Sequence, residues 1–109
     1  MLYEAFYISL IKYLKKNKIN CQIYDPYYST NEIKSITKIN SFNIKKDLKK
    51  FDCVIYHVNH SFFKKNKKLI IKNLRCKYFL DNTGEYLEKA DLFKKMKINF
   101  KTTGSSKWI

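Results

Sequence analysis

One stretch constrains this chain more than any other: Asn20-Cys21-Gln22-Ile23-Tyr24-Asp25-Pro26, a short apolar run that follows an amphipathic helix pattern and stops at Asp-Pro. A helix feeding a strand that ends in a turn is one step of an α/β repeat. Asp52-Cys53-Val54-Ile55-Tyr56-His57-Val58 and Lys77-Tyr78-Phe79-Leu80-Asp81 repeat the plan. Unbroken apolar runs of this length characterise strands buried on both faces of a parallel sheet. Interleaved with helix patterns, they predict an α/β domain of three layers with a mostly parallel sheet.

At 109 residues the chain has room for one domain, 1–109, with one core. No apolar run approaches the roughly 18 residues of a membrane span, and no leader pattern opens the sequence. A cytoplasmic protein without membrane contact is the expectation. The formal charge of +14 comes from 23 basic residues, among which Arg75 alone is arginine. Phosphate and base recognition favour the guanidinium fork over lysine. Lysine beside abundant Ile, Asn and Tyr is the composition of AT-rich coding, so the simpler account of the charge is a solvated surface. A small basic module that binds nucleic acid or another protein is the alternative. Cys21, Cys53 and Cys76 show no metal-ligand spacing and read as small buried hydrophobes in a reduced compartment.

Taken in order, Leu2, Ala5, Phe6, Ser9, Leu10, Tyr13 and Leu14 share one face of a first helix that stops at Asn17. The strand Cys21 to Tyr24 ends at Asp25. An acid at the tip of such a strand can grip a ribose hydroxyl, but no Gly-rich fingerprint precedes it, and a plain turn is favoured. Ser29 and Glu32 have capping-box spacing for a helix to about Ile36, and 37–42 holds at most a short extended piece. Asn43 caps a second short helix with Ile44, Leu48 and Phe51 inward. The central strand, Asp52 to Val58, ends in His57-Val58-Asn59-His60. Two histidines could suggest a metal or acid-base site, but no carboxylate or thiol stands at ligand spacing beside them, and His60-Ser61 reads more simply as loop and N-cap. Phe62, Phe63, Leu69, Ile70 and Leu74 face inward from the helix that follows. The strand ending at Asp81 runs into Asp81-Asn82-Thr83-Gly84, turn formers at the edge where open α/β sheets place ligands, and one of only two glycines is spent there. Leu87, Leu92, Phe93 and Met96 are the inward face of a helix from Glu85 to Met96. Ile98 to Thr102 alternates as an edge strand, and Trp108 folds back on the body.

The order of Tyr24-Asp25-Pro26, Phe51-Asp52-Cys53-Val54-Ile55-Tyr56, His60-Ser61-Phe62-Phe63, Phe79-Leu80-Asp81-Asn82-Thr83-Gly84 and Thr103-Gly104 resembles the C-terminal, UDP-binding domain of the UDP-glucose/GDP-mannose dehydrogenase family. The resemblance covers almost the whole chain and implies a Rossmann-like fold. It further implies a part in oxidising the C6 alcohol of a nucleotide sugar, a reaction of polysaccharide biosynthesis, in an enzyme that uses NAD and a catalytic cysteine. Both of those functions belong to a portion of the family enzyme with no counterpart in these residues. The resemblance therefore implies no catalytic residue and no cofactor held by this chain alone, and a substrate-binding set drawn from Asp81, Asn82, Thr83, Gly84, Asp25 and His60. UDP-sugar, the remainder of a dehydrogenase and further copies of the chain are the implied partners.

Family members begin this domain with a strand and a Lys-containing loop ahead of the first helix, whereas this sequence begins at about that helix. A truncated domain, marginal or partner-dependent, is the expectation, because Ile23 and Val54 would flank the vacated slot. Asn82-Thr83-Gly84 also stands where some members carry an arginine that reaches a neighbouring subunit's substrate.

Overall fold

The computed structural model describes residues 2–102, with side chains from residue 9 onward. The readings at Thr103-Gly104 and Trp108, and those for the side chains of Leu2, Ala5 and Phe6, lie outside the described residues. The chain divides into two compact units, one ending at Asn43 and one beginning at Ile44. Ile23 falls in the first and Val54 in the second.

In the first unit, helix α1 (Leu2–Lys16) carries Lys15 and Lys16 in its last turn, where cations complement the helix dipole. Asn17 is its C-cap. The next residue, Lys18, takes the left-handed conformation at φ 56°, and Lys18 N–H and Ile19 N–H close onto Lys15 O and Leu14 O at 3.0 and 2.9 Å. That paired closure is the Schellman stop, here built without glycine. Helix α2 (Thr30–Thr37) begins at the expected capping box, with Ser29 Oγ accepting Glu32 N–H and Glu32 Oε1 accepting Ser29 N–H, both at 3.1 Å. It ends at Lys38, again left-handed at φ 62°. The expected strand at Cys21 to Tyr24 is reduced to one parallel bridge, Ile23 to Ser41. Its partner segment is squeezed between the turn at Lys38 and the bend after Phe42, too short for a ladder.

In the second unit, the helix expected from Asn43 is a turn over 44–47 followed by a single 3₁₀ turn, Leu48–Lys50, with Leu48 buried. Strands β1 (Cys53–Tyr56), β2 (Tyr78–Asp81) and β3 (Asn99–Thr102) form a parallel sheet in that order. This is a small Rossmann-like α/β arrangement. The middle strand is β2, not the one at Val54. The crossovers that parallel strands need are α3 (Ser61–Lys65) with α4 (Lys67–Asn73), and α5 (Ala90–Lys95). The single helix expected over 61–74 is broken at Asn66, which leaves the helical region at φ −107°, ψ 18° and donates to Phe62 O from both its backbone N–H, at 3.1 Å, and its side-chain amide, at 2.8 Å. Ile70, Ile71 and Leu74 are buried, whereas Phe62, Phe63 and Leu69 are only half-buried.

Register aligns Val54, Phe79 and Phe100, and then Tyr56, Asp81 and Thr102, across the three strands. On this face Phe79, Phe100, Tyr56, Asp81 and Thr102 are all buried. Phe79, Phe93 and Phe100 pack at centroid distances of 5.0 to 6.1 Å, and Tyr86 joins them 5.0 Å from Phe79. The opposite face is more open: Cys53 and Tyr78 are exposed, Ile55 and Leu80 half-buried. The strands are therefore buried on one face, where only Val54 is half-buried, and not on both. Among the cysteines only Cys76 is buried; Cys21 is half-buried and Cys53 exposed.

Candidate functional site at the carboxyl edge of the sheet

The register that stacks Tyr56, Asp81 and Thr102 sets three polar groups in a row at the carboxyl ends of the strands. Asp81 is 1% exposed. A carboxylate so deeply buried demands full hydrogen bonding. It obtains this from the turn that follows it: Oδ1 accepts Thr83 N–H (2.9 Å), Thr83 Oγ–H (2.7 Å) and Gly84 N–H (3.1 Å). Oδ2 accepts Tyr86 N–H at 2.7 Å and the Thr102 hydroxyl at 3.4 Å. Glu85 N–H goes to Thr83 Oγ1 at 3.1 Å, and Asn82 N–H to Tyr56 O at 2.9 Å. Every backbone N–H from residue 82 to 86 is thus spent, those of 83 to 86 inside the turn and that of Asn82 on β1. Gly84, at φ +84°, supplies the left-handed residue the turn needs.

What the turn offers outward is therefore side chains. Asn82 is exposed, and its amide meets His57 Nδ1 at 3.1 Å. Burial lowers the His57 pKa, so the ring stays neutral, and Nδ1 can accept from the Asn82 amide while Nε2 carries the proton. Beside this contact a relay links the β1 tip to α4. Tyr56 Oη donates to Asn59 Oδ1 at 2.6 Å, Asn59 Nδ2 donates to Glu85 Oε2 at 3.1 Å, and Lys67 Nζ holds Glu85 Oε1 at 2.9 Å. Lys67 also reaches Glu88 at 3.2 Å and lies 5.3 Å from the centre of the Tyr86 ring. Burial works to lower the Lys67 pKa, but its bonds to Glu85 and Glu88 outweigh that and raise it. Bonds from Lys67 and Asn59 hold the Glu85 carboxyl below its usual range. Lys64 adds a further cation within electrostatic reach of Glu85.

Of the residues singled out in the sequence, Asp81, Asn82, Thr83 and Gly84 form one turn. His57 reaches that turn, while His60 stacks on Phe63 at 5.8 Å at the start of α3. Asp25 lies in the first unit, buried, with Oδ1 accepting Tyr27 N–H at 2.8 Å; it builds the turn at Pro26. Sequence reasoning missed Asn59, Glu85 and Lys67, and weighed His57 only as a metal or acid-base group; the polar cluster His57-Val58-Asn59-His60 directly after an apolar strand was the signal for a polar contact there. It also missed Tyr86, an aromatic five residues past a strand-end aspartate.

Burial raises the pKa of all three thiols, that of Cys76 to about 11, the opposite of what an attacking thiolate needs. Among the described residues no group of three His, Cys, Asp or Glu side chains could hold a metal ion, and no helix is long and apolar enough to cross a membrane.

A model of the UDP-glucose/GDP-mannose dehydrogenase family, UDP binding domain, matches residues 2–87. That span includes α1, the first two strands of the sheet and the whole Asp81 turn. Searches of curated proteins and of solved structures gave no match.

Proposed function

The chain belongs to the UDP-glucose/GDP-mannose dehydrogenase family through its UDP binding domain, and on that premise we propose that it binds the nucleotide end of a UDP-sugar at the Asp81 turn. The observation that carries this reading is the saturated Asp81 carboxylate. It fixes a turn at the carboxyl end of the middle strand, where open α/β sheets bind ligands, and holds the Asn82 side chain outward against His57. In this reading Asp81 is a positioning residue. Asn82 and His57 offer an amide and an imidazole to the uracil edge or the ribose, and Thr83 and Gly84 shape the rim. Because the backbone donors of the turn are already used within the protein, the diphosphate in this reading relies on side-chain cations, and the field of Lys64 is already felt at Glu85. His60, in the same unit at the start of α3, is proposed as a further ligand, while Asp25 shapes its own turn in the first unit.

The chain acts in this proposal as the nucleotide-binding part of an NAD-dependent UDP-sugar 6-dehydrogenase of polysaccharide biosynthesis. The dinucleotide site and the reactive thiol come from the rest of that enzyme. Lysine-mediated contacts predict affinity that falls with added salt. An amide proton-nitrogen NMR titration of the full chain with UDP tests the reading: peaks of Asn82, Thr83, Gly84 and His57 move saturably. A folded spectrum in which UDP moves none of them would refute it.

A further inference from the structure

The first unit carries a cleft that the nucleotide reading does not use. It has a volume of about 250 Å³ and lies between the end of α1, the segment Asn20 to Gln22 and the end of α2. Lys15, Lys34 and Lys38 line it together with the amide side chains of Asn20, Gln22 and Asn40, and none of its lining residues is acidic.

The three ammonium groups are gathered by the backbone. Lys15 Nζ donates to Thr37 O at 2.8 Å, Lys38 Nζ to Ser35 O at 3.1 Å and Lys34 Nζ to Lys38 O at 3.4 Å. All three acceptors lie in one four-residue stretch at the end of α2, so three positive charges collect around a single turn. The helix end itself contributes only about half a negative charge. The turn is also fixed. Thr37 is buried, its hydroxyl donates to Ile33 O at 2.6 Å and accepts Ile39 N–H at 3.1 Å, and Lys38 turns the chain at φ 62°. The facing wall is pinned by Ile23 N–H to Asn40 O and Phe42 N–H to Ile23 O, each 3.2 Å. Each lysine head has two further N–H groups beyond the bond that orients it. Cations already held in place cost an incoming anion little ordering.

We propose that this cleft binds a small polyanion of the diphosphate class. A lone cation on a surface attracts any anion weakly, but three cations around one fixed turn, flanked by amide donors and with no lining carboxylate, match a ligand with several anionic oxygens. The volume is below the roughly 300–1,000 Å³ of pockets that enclose whole drug-sized ligands, so the cleft takes a diphosphate group rather than an entire nucleotide. Free pyrophosphate and the diphosphate arm of a nucleotide share this chemistry.

The test is an NMR titration of the full chain with inorganic pyrophosphate at about 50 mM salt, where lysine contacts are least screened. Amides of Asn20 to Gln22 and Lys38 to Asn40 are expected to move along one saturable curve. Lys15→Gln and Lys34→Gln are each expected to weaken binding about three- to fivefold. Lys12→Gln removes the same charge from α1 outside the cleft and is expected to leave binding unchanged. The same spectra report whether each variant is folded; should Lys34→Gln loosen α2, Lys38→Asn, which tolerates the left-handed turn, replaces it. Shifts scattered over the lysine-rich surface, or equal weakening by Lys12→Gln, would overturn the proposal. A parallel titration with UDP separates the sources: movement of the cleft amides identifies the nucleotide arm, and movement at Asn82 and Gly84 alone leaves free pyrophosphate as the ligand.

Discussion

Tyr86 N–H donates to Asp81 Oδ2 at 2.7 Å, so the last residue of β2 dictates how the chain leaves the sheet five residues later. The same carboxylate takes four other donors, three on Oδ1 and the Thr102 hydroxyl on Oδ2, and an amide in its place can accept on one side only. Asp81→Asn keeps the shape but turns an N–H₂ toward at least one N–H or hydroxyl. A loss of about 2–4 kcal/mol in urea unfolding is expected, together with loss of any UDP-induced shift at Asn82.

The Tyr86 hydroxyl is buried and has no hydrogen-bond partner among the described residues, whereas the Tyr56 hydroxyl donates to Asn59. Two chemically identical substitutions should therefore differ in sign. Tyr56→Phe is expected to cost about 1 kcal/mol, and Tyr86→Phe to be neutral or stabilising by up to about 1 kcal/mol, since it removes an unsatisfied polar atom. Paired denaturation curves decide this directly.

The alternation of apolar runs and helix patterns was enough to read the α/β class, and the Ser29 and Glu32 spacing marked the start of α2. The turn formers from Asp81 to Gly84 were legible for the same local reason: their side chains act on their own backbone. What the pattern could not carry was phase. Leu87 and Leu92 were expected to face inward, yet they are 56% and 39% exposed, while Tyr86 is fully buried. Asp81 pulls the Tyr86 backbone inward, and the 3₁₀ turn Leu87–Lys89 advances at 3.0 rather than 3.6 residues per turn. The stripe of α5 is thereby rotated, leaving Phe93 as its core contact. Asn66 likewise divides a helix whose apolar period runs through it: its backbone leaves the helical region at φ −107°, ψ 18°, with its N–H and its side-chain amide both on Phe62 O.

His57 links acidity to stability. Burial lowers its pKa below the ordinary 6.5, so the unfolded chain binds the proton more readily than the folded one. The resulting cost is absent well above pH 6.5 and grows as pH falls through 6.5 toward the folded value. Protonation also removes the lone pair that faces the Asn82 amide. Unfolding measured between pH 7.5 and 5 should show declining stability, and His57→Gln should flatten that decline. Glu85, whose pKa is lowered by Lys67 and Asn59, contributes stability above its ordinary 4.5 that is lost only below it, so the two windows separate.

Gly84 has two distinct reasons to be glycine, and substitution can tell them apart. Its φ of +84° disfavours a side chain, while a Cβ built there meets nothing within 4 Å. Gly84→Ala should therefore cost about 1 kcal/mol through backbone conformation alone. Gly84→Asn, which tolerates the left-handed region better, should recover part of that stability. If glycine serves only the turn, Gly84→Asn binds UDP as the natural chain does. Close approach of the nucleotide to this backbone predicts the other result: Gly84→Asn folds, by its dispersed NMR spectrum, and loses at least about tenfold in UDP affinity, because space open in the free protein is the space the ligand takes.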